Sequence, residues 1–74
     1  MDTISGFICK FDKESKTISV KGCMNERSPS TICLYTAEQE LELLIAFMEG
    51  VSIVIDGKWN PRIKSMYISS YKLG

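Results

Sequence analysis

Apolar residues fall along this chain in two rhythms. In the stretch 37–49 they recur at helical spacing. Leu41, Leu44, Ile45 and Met48 stand at i, i+3, i+4 and i+7, the period of one buried stripe, and Leu43 and Phe47 form a second apolar line beside it. Thr36-Ala37-Glu38-Gln39 reads as a capping box, in which the Thr36 hydroxyl accepts from the Gln39 amide and the Gln39 side chain reaches back. Glu38, Glu40 and Glu42 put negative charge at the positive end of the helix dipole, and Gly50 follows where a left-handed stop belongs. The spacing predicts a helix over 37–49.

Elsewhere the rhythm is that of strands. The segments 7–11 and 17–21 form a hairpin across Asp12-Lys13-Glu14-Ser15, and 31–35 makes a third strand just before the helix. After it, 51–59 is β-branched and apolar, with Gly57 marking a bulge. Asn60-Pro61-Arg62-Ile63 suits a type I turn, and 64–70 is the last strand, with Met66 and Ile68 on one face and Tyr67 on the other. Residues 11–20 align without gaps on 59–68: aromatic, Asx, three residues, Lys, Ser or Thr, apolar, any, apolar. Similar hairpin geometry accounts for the likeness, and it sets Ile18 and Val20 toward the core as Met66 and Ile68 are. The stretch 22–30 is polar and turn-rich, a loop.

The order is therefore β-β-β-α-β-β. This order, with Ile55-Asp56-Gly57-Lys58-Trp59, an Asx-Pro turn and Met66-Tyr67-Ile68-Ser69-Ser70, resembles the small five-stranded barrels of the OB-fold. The first hairpin is short for such a barrel and the helix is long. An α+β alternative is an open antiparallel sheet with one helix packed across it. The resemblance implies that Lys13 and Lys16, in the loop joining strands one and two, and Arg62 and Lys64, in the loop joining four and five, flank an oligonucleotide groove.

Length and composition narrow the function classes. A chain of 74 residues is one small domain, burying roughly 60% of the surface its unfolded form exposes. With no His, Ser–His and Cys–His catalysis are out of reach. Cys9, Cys23 and Cys33 have no C-x-x-C spacing, so neither a disulfide framework nor a zinc site is expected, and Cys9 and Cys33 read as buried apolar strand residues. The five glycines are isolated, so there is no phosphate loop. The expectation is a non-enzyme with no metal and no cofactor. No secretory signal and no apolar run of membrane-spanning length appear, which points to a reducing, cytoplasmic setting without membrane contact.

Nine basic and nine acidic residues cancel overall, but not locally: residues 37–50 are net −4 and residues 51–74 net +3. Nucleic-acid modules are usually far more basic than this chain, whose pI is about 6.2. Single-stranded nucleic acid is therefore the alternative ligand, with Trp59 and Tyr67 stacking on bases and Lys58, Arg62, Lys64, Lys13 and Lys16 meeting phosphates. A protein partner is the leading expectation. The helix carries two apolar lines, wider than one thin sheet needs. Phe7, Cys9 and Phe11 against Ile8 make both faces of the first strand partly apolar, and Tyr67 and Tyr71 stand opposite the core face of the last. Edge strands would add pairing sites, and self-association is a further expectation. The picture is a small regulator, inhibitor or assembly factor, of the kind phages and mobile elements carry, with a binding surface at Lys58, Trp59, Arg62, Lys64, Tyr67 and Tyr71.

Overall fold

The structure, a computed structural model, describes residues 2–22 and 29–74; most of the loop expected over 22–30 lies outside them. Five strands and one helix follow in order: β1 (Asp2–Asp12), β2 (Thr17–Lys21), β3 (Ser30–Leu34), α1 (Glu40–Glu49), β4 (Ser52–Asn60) and β5 (Ser65–Leu73). The strands close into a barrel in the order β1-β2-β3-β5-β4, antiparallel throughout except for the parallel pair β3–β5. This is the OB-like α+β barrel, and the open sheet with a helix laid across it is ruled out by the β1–β4 pairing. Closure also removes most of the free edges expected as pairing sites for another chain.

Closure depends on β1, which is longer than its apolar pattern predicts. Asp2 to Phe7 pair with β4, and Phe7 to Asp12 pair with β2, so one strand serves two neighbours. Its polar first half is held from outside: the Thr3 hydroxyl donates to Asp56 Oδ1 at 2.6 Å and Asp2 Oδ2 accepts from the Trp59 amide at 2.9 Å. Gly6 sits where β1 changes partners, and a Cβ there would run into the Lys21 carbonyl.

Two bulges correct the expected faces. Ile8 pairs with Val20 and Lys10 with Ser19, leaving Cys9 as the extra residue. The bulge reverses the alternation, so Ile8 and Phe11 both face inward, and Cys9 is only half-buried, its thiol donating to the Ser19 carbonyl at 3.3 Å. On the other side Gly57 pairs with Ile68 but Asp56 with Ser70, so the bulge expected at Gly57 has its extra residue, Ser69, on β5. Beyond it the phase flips. Tyr71 turns toward the core instead of sharing the outer face with Tyr67.

Ile18, Val20, Cys33, Ile53, Ile55 and Met66 fill the barrel, with Ile68 beside them. Ile18 and Val20 face inward with Met66 and Ile68, as the hairpin alignment predicts. An aromatic group closes the barrel beneath α1: Phe11 stacks on Tyr35 with ring centres 5.3 Å apart and on Phe47 at 6.1 Å. The Tyr35 hydroxyl lies 3.0 Å from Glu40 Oε1 and 3.3 Å from the Asp12 carbonyl, tying the first hairpin to the start of the helix.

The helix begins three residues later than its pattern predicts. Half of the capping box forms, the Gln39 side chain accepting from the Thr36 amide at 3.0 Å, but the Gln39 amide donates to the Thr36 carbonyl and not its hydroxyl. That bond closes a turn over 36–39 before the regular helix. At the far end Gly50 is left-handed (φ 68°) and its amide donates to the Ala46 carbonyl, as expected of a stop.

The larger correction is the helix's orientation. Leu43 and Ala46 are fully buried and Phe47 packs against them, so the second apolar line faces the barrel. Of the stripe expected to be buried, Leu44 is partly covered and the other three point to solvent: Leu41 is 71% exposed, Met48 75% and Ile45 43%. A closed barrel end is narrow, and one line with a small Ala between Leu and Phe fills it. No helix of the described residues is long and apolar enough to cross a membrane.

Candidate functional site

Two surfaces carry the residues that a binding role calls for. The first is built by the β4–β5 hairpin. Asn60 Oδ1 accepts from the Arg62 amide at 3.0 Å, an Asx turn that, with Pro61, fixes the loop. Lys64, at φ 51°, closes it back into β5. Lys58 then stands directly across from Tyr67, and their side chains lie on the outer face. Trp59 follows the inward phase opposite Met66, yet it lies beyond the last described β1–β4 pair, Asp2 against Gly57, and stays 43% exposed.

Lys58, Trp59, Asn60, Pro61, Arg62 and Tyr67 thus surround an open concavity of about 400 Å³. Two aromatic rings and two basic side chains around one hollow can hold a flat, anionic or electron-rich group by stacking and charge. The Asp2 carboxylate, on the Trp59 amide, tempers the positive field at its edge.

Of the eight residues singled out from sequence, this hollow gathers four: Lys58, Trp59, Arg62 and Tyr67. Lys64 is exposed on the adjoining loop but does not line it. Tyr71 is on the other side of the strand, half-buried; burial first, and then Glu42 beside it, raises its hydroxyl pKa. Lys13 and Lys16 sit on the β1–β2 loop, outside the hollow and separated from β5 by β2 and β3. Thr17, Leu34, Tyr67 and Lys58 form the row nearest that loop, while Ser19, Ile32, Ser65 and Asn60 form the row nearest the β4–β5 loop. Lys16 is engaged there with Glu40 at 3.5 Å, so it is not a free phosphate contact.

Those rows reveal two residues that sequence reasoning passed over. Ile32, 43% exposed, and Leu34, half-buried, stand beside Ser65 and Tyr67 on β3, next to the hollow but not lining it. Strict alternation within 31–35, with Cys33 and Tyr35 inward, is the signal that would have found them.

The second surface is the outer face of α1. Leu41, Ile45 and Met48 recur at i, i+4 and i+7 with Leu44 partly covered beside them, and Glu38, Glu42 and Glu49 are exposed along the same helix segment. Among the described residues no cluster of Cys, Asp and Glu is placed to hold a metal ion. Burial pushes the Cys33 thiol up to about 11, which makes it a poor nucleophile. No family model matches the chain, and no curated protein matches it at a significant level.

Proposed function

We propose that this protein is a non-catalytic binding module that acts by docking another protein on the outer face of α1, as a small regulator, inhibitor or assembly factor. The observation that carries this reading is the stripe Leu41, Ile45 and Met48 standing in solvent while Leu43, Ala46 and Phe47 supply the core. Single exposed apolar side chains are ordinary on any protein surface. Three large ones aligned along two helical turns are the anchor pattern by which a helix lies against a partner. The test compares capture from an extract of the source cells by the wild-type chain and by the Leu41→Gln/Ile45→Gln/Met48→Gln variant. A protein retained by the first and lost by the second supports the reading. Identical capture, or none, overturns it.

A second reading, a single-stranded nucleic-acid-binding module, is favoured by one specific observation: Trp59, Tyr67, Lys58 and Arg62 share a hollow at the β4–β5 hairpin of an OB-like barrel. Its weakness is charge. A neutral chain with few cations near the hollow releases few counterions, and phosphate neutralisation supplies most non-specific affinity.

A further inference from the structure

The charge around the uncovered helix stripe says what kind of partner fits it. Residues 37–50 carry four acidic side chains and no basic one. Glu40 is turned away toward Lys16 and Glu42 lies beside the Tyr71 hydroxyl, leaving Glu38 and Glu49 exposed in the segment that bears Leu41, Ile45 and Met48. A second copy laid on the same face would set these acids against their own counterparts, because a two-fold contact pairs each patch with itself. Area argues the same way. A ten-residue helix is about 15 Å long and about 10 Å across, well short of the roughly 800 Å² per partner that a stable dimer buries.

Resting on the protein-docking reading, we propose that the outer face of α1 receives a basic amphipathic helix of another protein. Its apolar anchors lie on Leu41, Ile45 and Met48, and its Lys and Arg side chains meet Glu38 and Glu49. The attraction between opposite charges sets the orientation and speeds encounter, and the apolar contact supplies the holding energy. The small face makes this a weak, reversible complex.

The experiment titrates the isotope-labelled full chain with two synthetic helices of about 18 residues, long enough to form stably on contact. Both carry Leu at i, i+3, i+4 and i+7; one has Lys at the remaining positions and the other Glu. The Lys peptide is expected to shift amide signals of 40–50, to bind about tenfold or more tightly than the Glu peptide, and to weaken as salt rises. Leu41→Gln/Ile45→Gln/Met48→Gln is expected to abolish that binding, which separates docking from plain attraction of a cation to an acidic surface. Glu38→Gln/Glu49→Gln is expected to erase most of the preference between the peptides. Equal binding of both peptides on α1 overturns the basic class of partner and leaves the docking reading standing. Binding of neither overturns the proposal, and the docking reading then rests on the capture comparison alone. Self-association through α1 without peptide, measured by sedimentation equilibrium, gives the face to a second copy and overturns it too.

Discussion

Lys16 and Lys64 hold the same place in two hairpins. Each is the last residue of a four-residue loop, and each is left-handed, with φ 54° and 51°. The Asx that opens each loop does the same work: Asp12 Oδ1 accepts from the Glu14 and Ser15 amides, and Asn60 Oδ1 from the Arg62 amide. Those bonds from Ser15, with the Glu14 amide, hold the Asp12 carboxyl below its ordinary range. The likeness between residues 11–20 and 59–68 is thus a shared turn geometry.

A left-handed Lys costs about 1 kcal/mol that Gly does not, partly offset by the greater freedom of an unfolded Gly. Lys64→Gly is therefore expected to stabilise the protein by about 0.5 kcal/mol in urea denaturation, while a β-branched Lys64→Val destabilises it. Lys16→Gly should gain less, because it also loses the contact with Glu40. Equal destabilisation by Gly and Val at position 64 would contradict the turn assignment.

Gly57 is buried at the β4–β5 bulge, where a Cβ would meet the Tyr67 carbonyl. Gly57→Ala must push two strands apart, at about 2–4 kcal/mol. A domain of this size loses roughly 4–8 °C in Tm for each kcal/mol, so thermal unfolding reads the change directly. The same push displaces Tyr67, so any ligand of the hollow should be lost alongside stability.

Tyr35 links stability to alkaline pH. Burial first, then its hydrogen bond to Glu40 and the charges of Glu40 and Asp12, push its hydroxyl up to about 12. In the unfolded chain it ionises near pH 10. Its stabilising contribution is therefore whole below about pH 10 and is lost as pH rises toward 12, because the unfolded state releases its proton first. Cys33, at about 11, contributes a loss of the same sign that ends earlier, which leaves the interval from 11 to 12 chiefly to Tyr35. Tyr71, also raised, adds to the slope. Urea midpoints across that interval are expected to fall less steeply in Tyr35→Phe than in the wild type. Parallel curves would contradict the role given to Tyr35.

If the hollow beside Tyr67 takes single-stranded nucleic acid, mixed-sequence oligonucleotides should quench Trp59 fluorescence to saturation. Lys58→Ala or Arg62→Ala would then each lower the salt slope by about one, and Tyr67→Ala would cost about 1–3 kcal/mol of stacking with no change in slope. A flat fluorescence signal at low salt removes this reading and leaves the helix face as the working surface.

Most of the architecture was legible in the residues, because strand alternation, the β-β-β-α-β-β order, Gly50 and Gly57 are local signals. What escaped depends on contacts between distant segments. The first half of β1 has little apolar pattern of its own and is a strand because Ile4 meets Ile55 on β4. Tyr71 leaves the outer face because of one extra residue, Ser69, that only the pairing with Asp56 and Gly57 reveals. In α1 the periodicity located the helix and its two apolar lines, and only the shape of the barrel end decides which is buried. Four of the eight candidate binding residues converge on one hairpin; Lys64 stands on its loop outside the hollow, the bulge turns Tyr71 inward, and Lys13 and Lys16 lie on the other hairpin.

That choice of helix face is the centre of the account, and stability measures it. The Leu41→Gln/Ile45→Gln/Met48→Gln variant is expected to unfold within about 1 kcal/mol of the wild type, since surface changes away from packed contacts cost little. Leu43→Ala, on the buried line, is expected to cost about 2–4 kcal/mol. Matched urea denaturation of the three chains decides the point. A triple variant as damaged as Leu43→Ala would mean that Leu41, Ile45 and Met48 belong to the core, and the helix would have no face left to offer a partner.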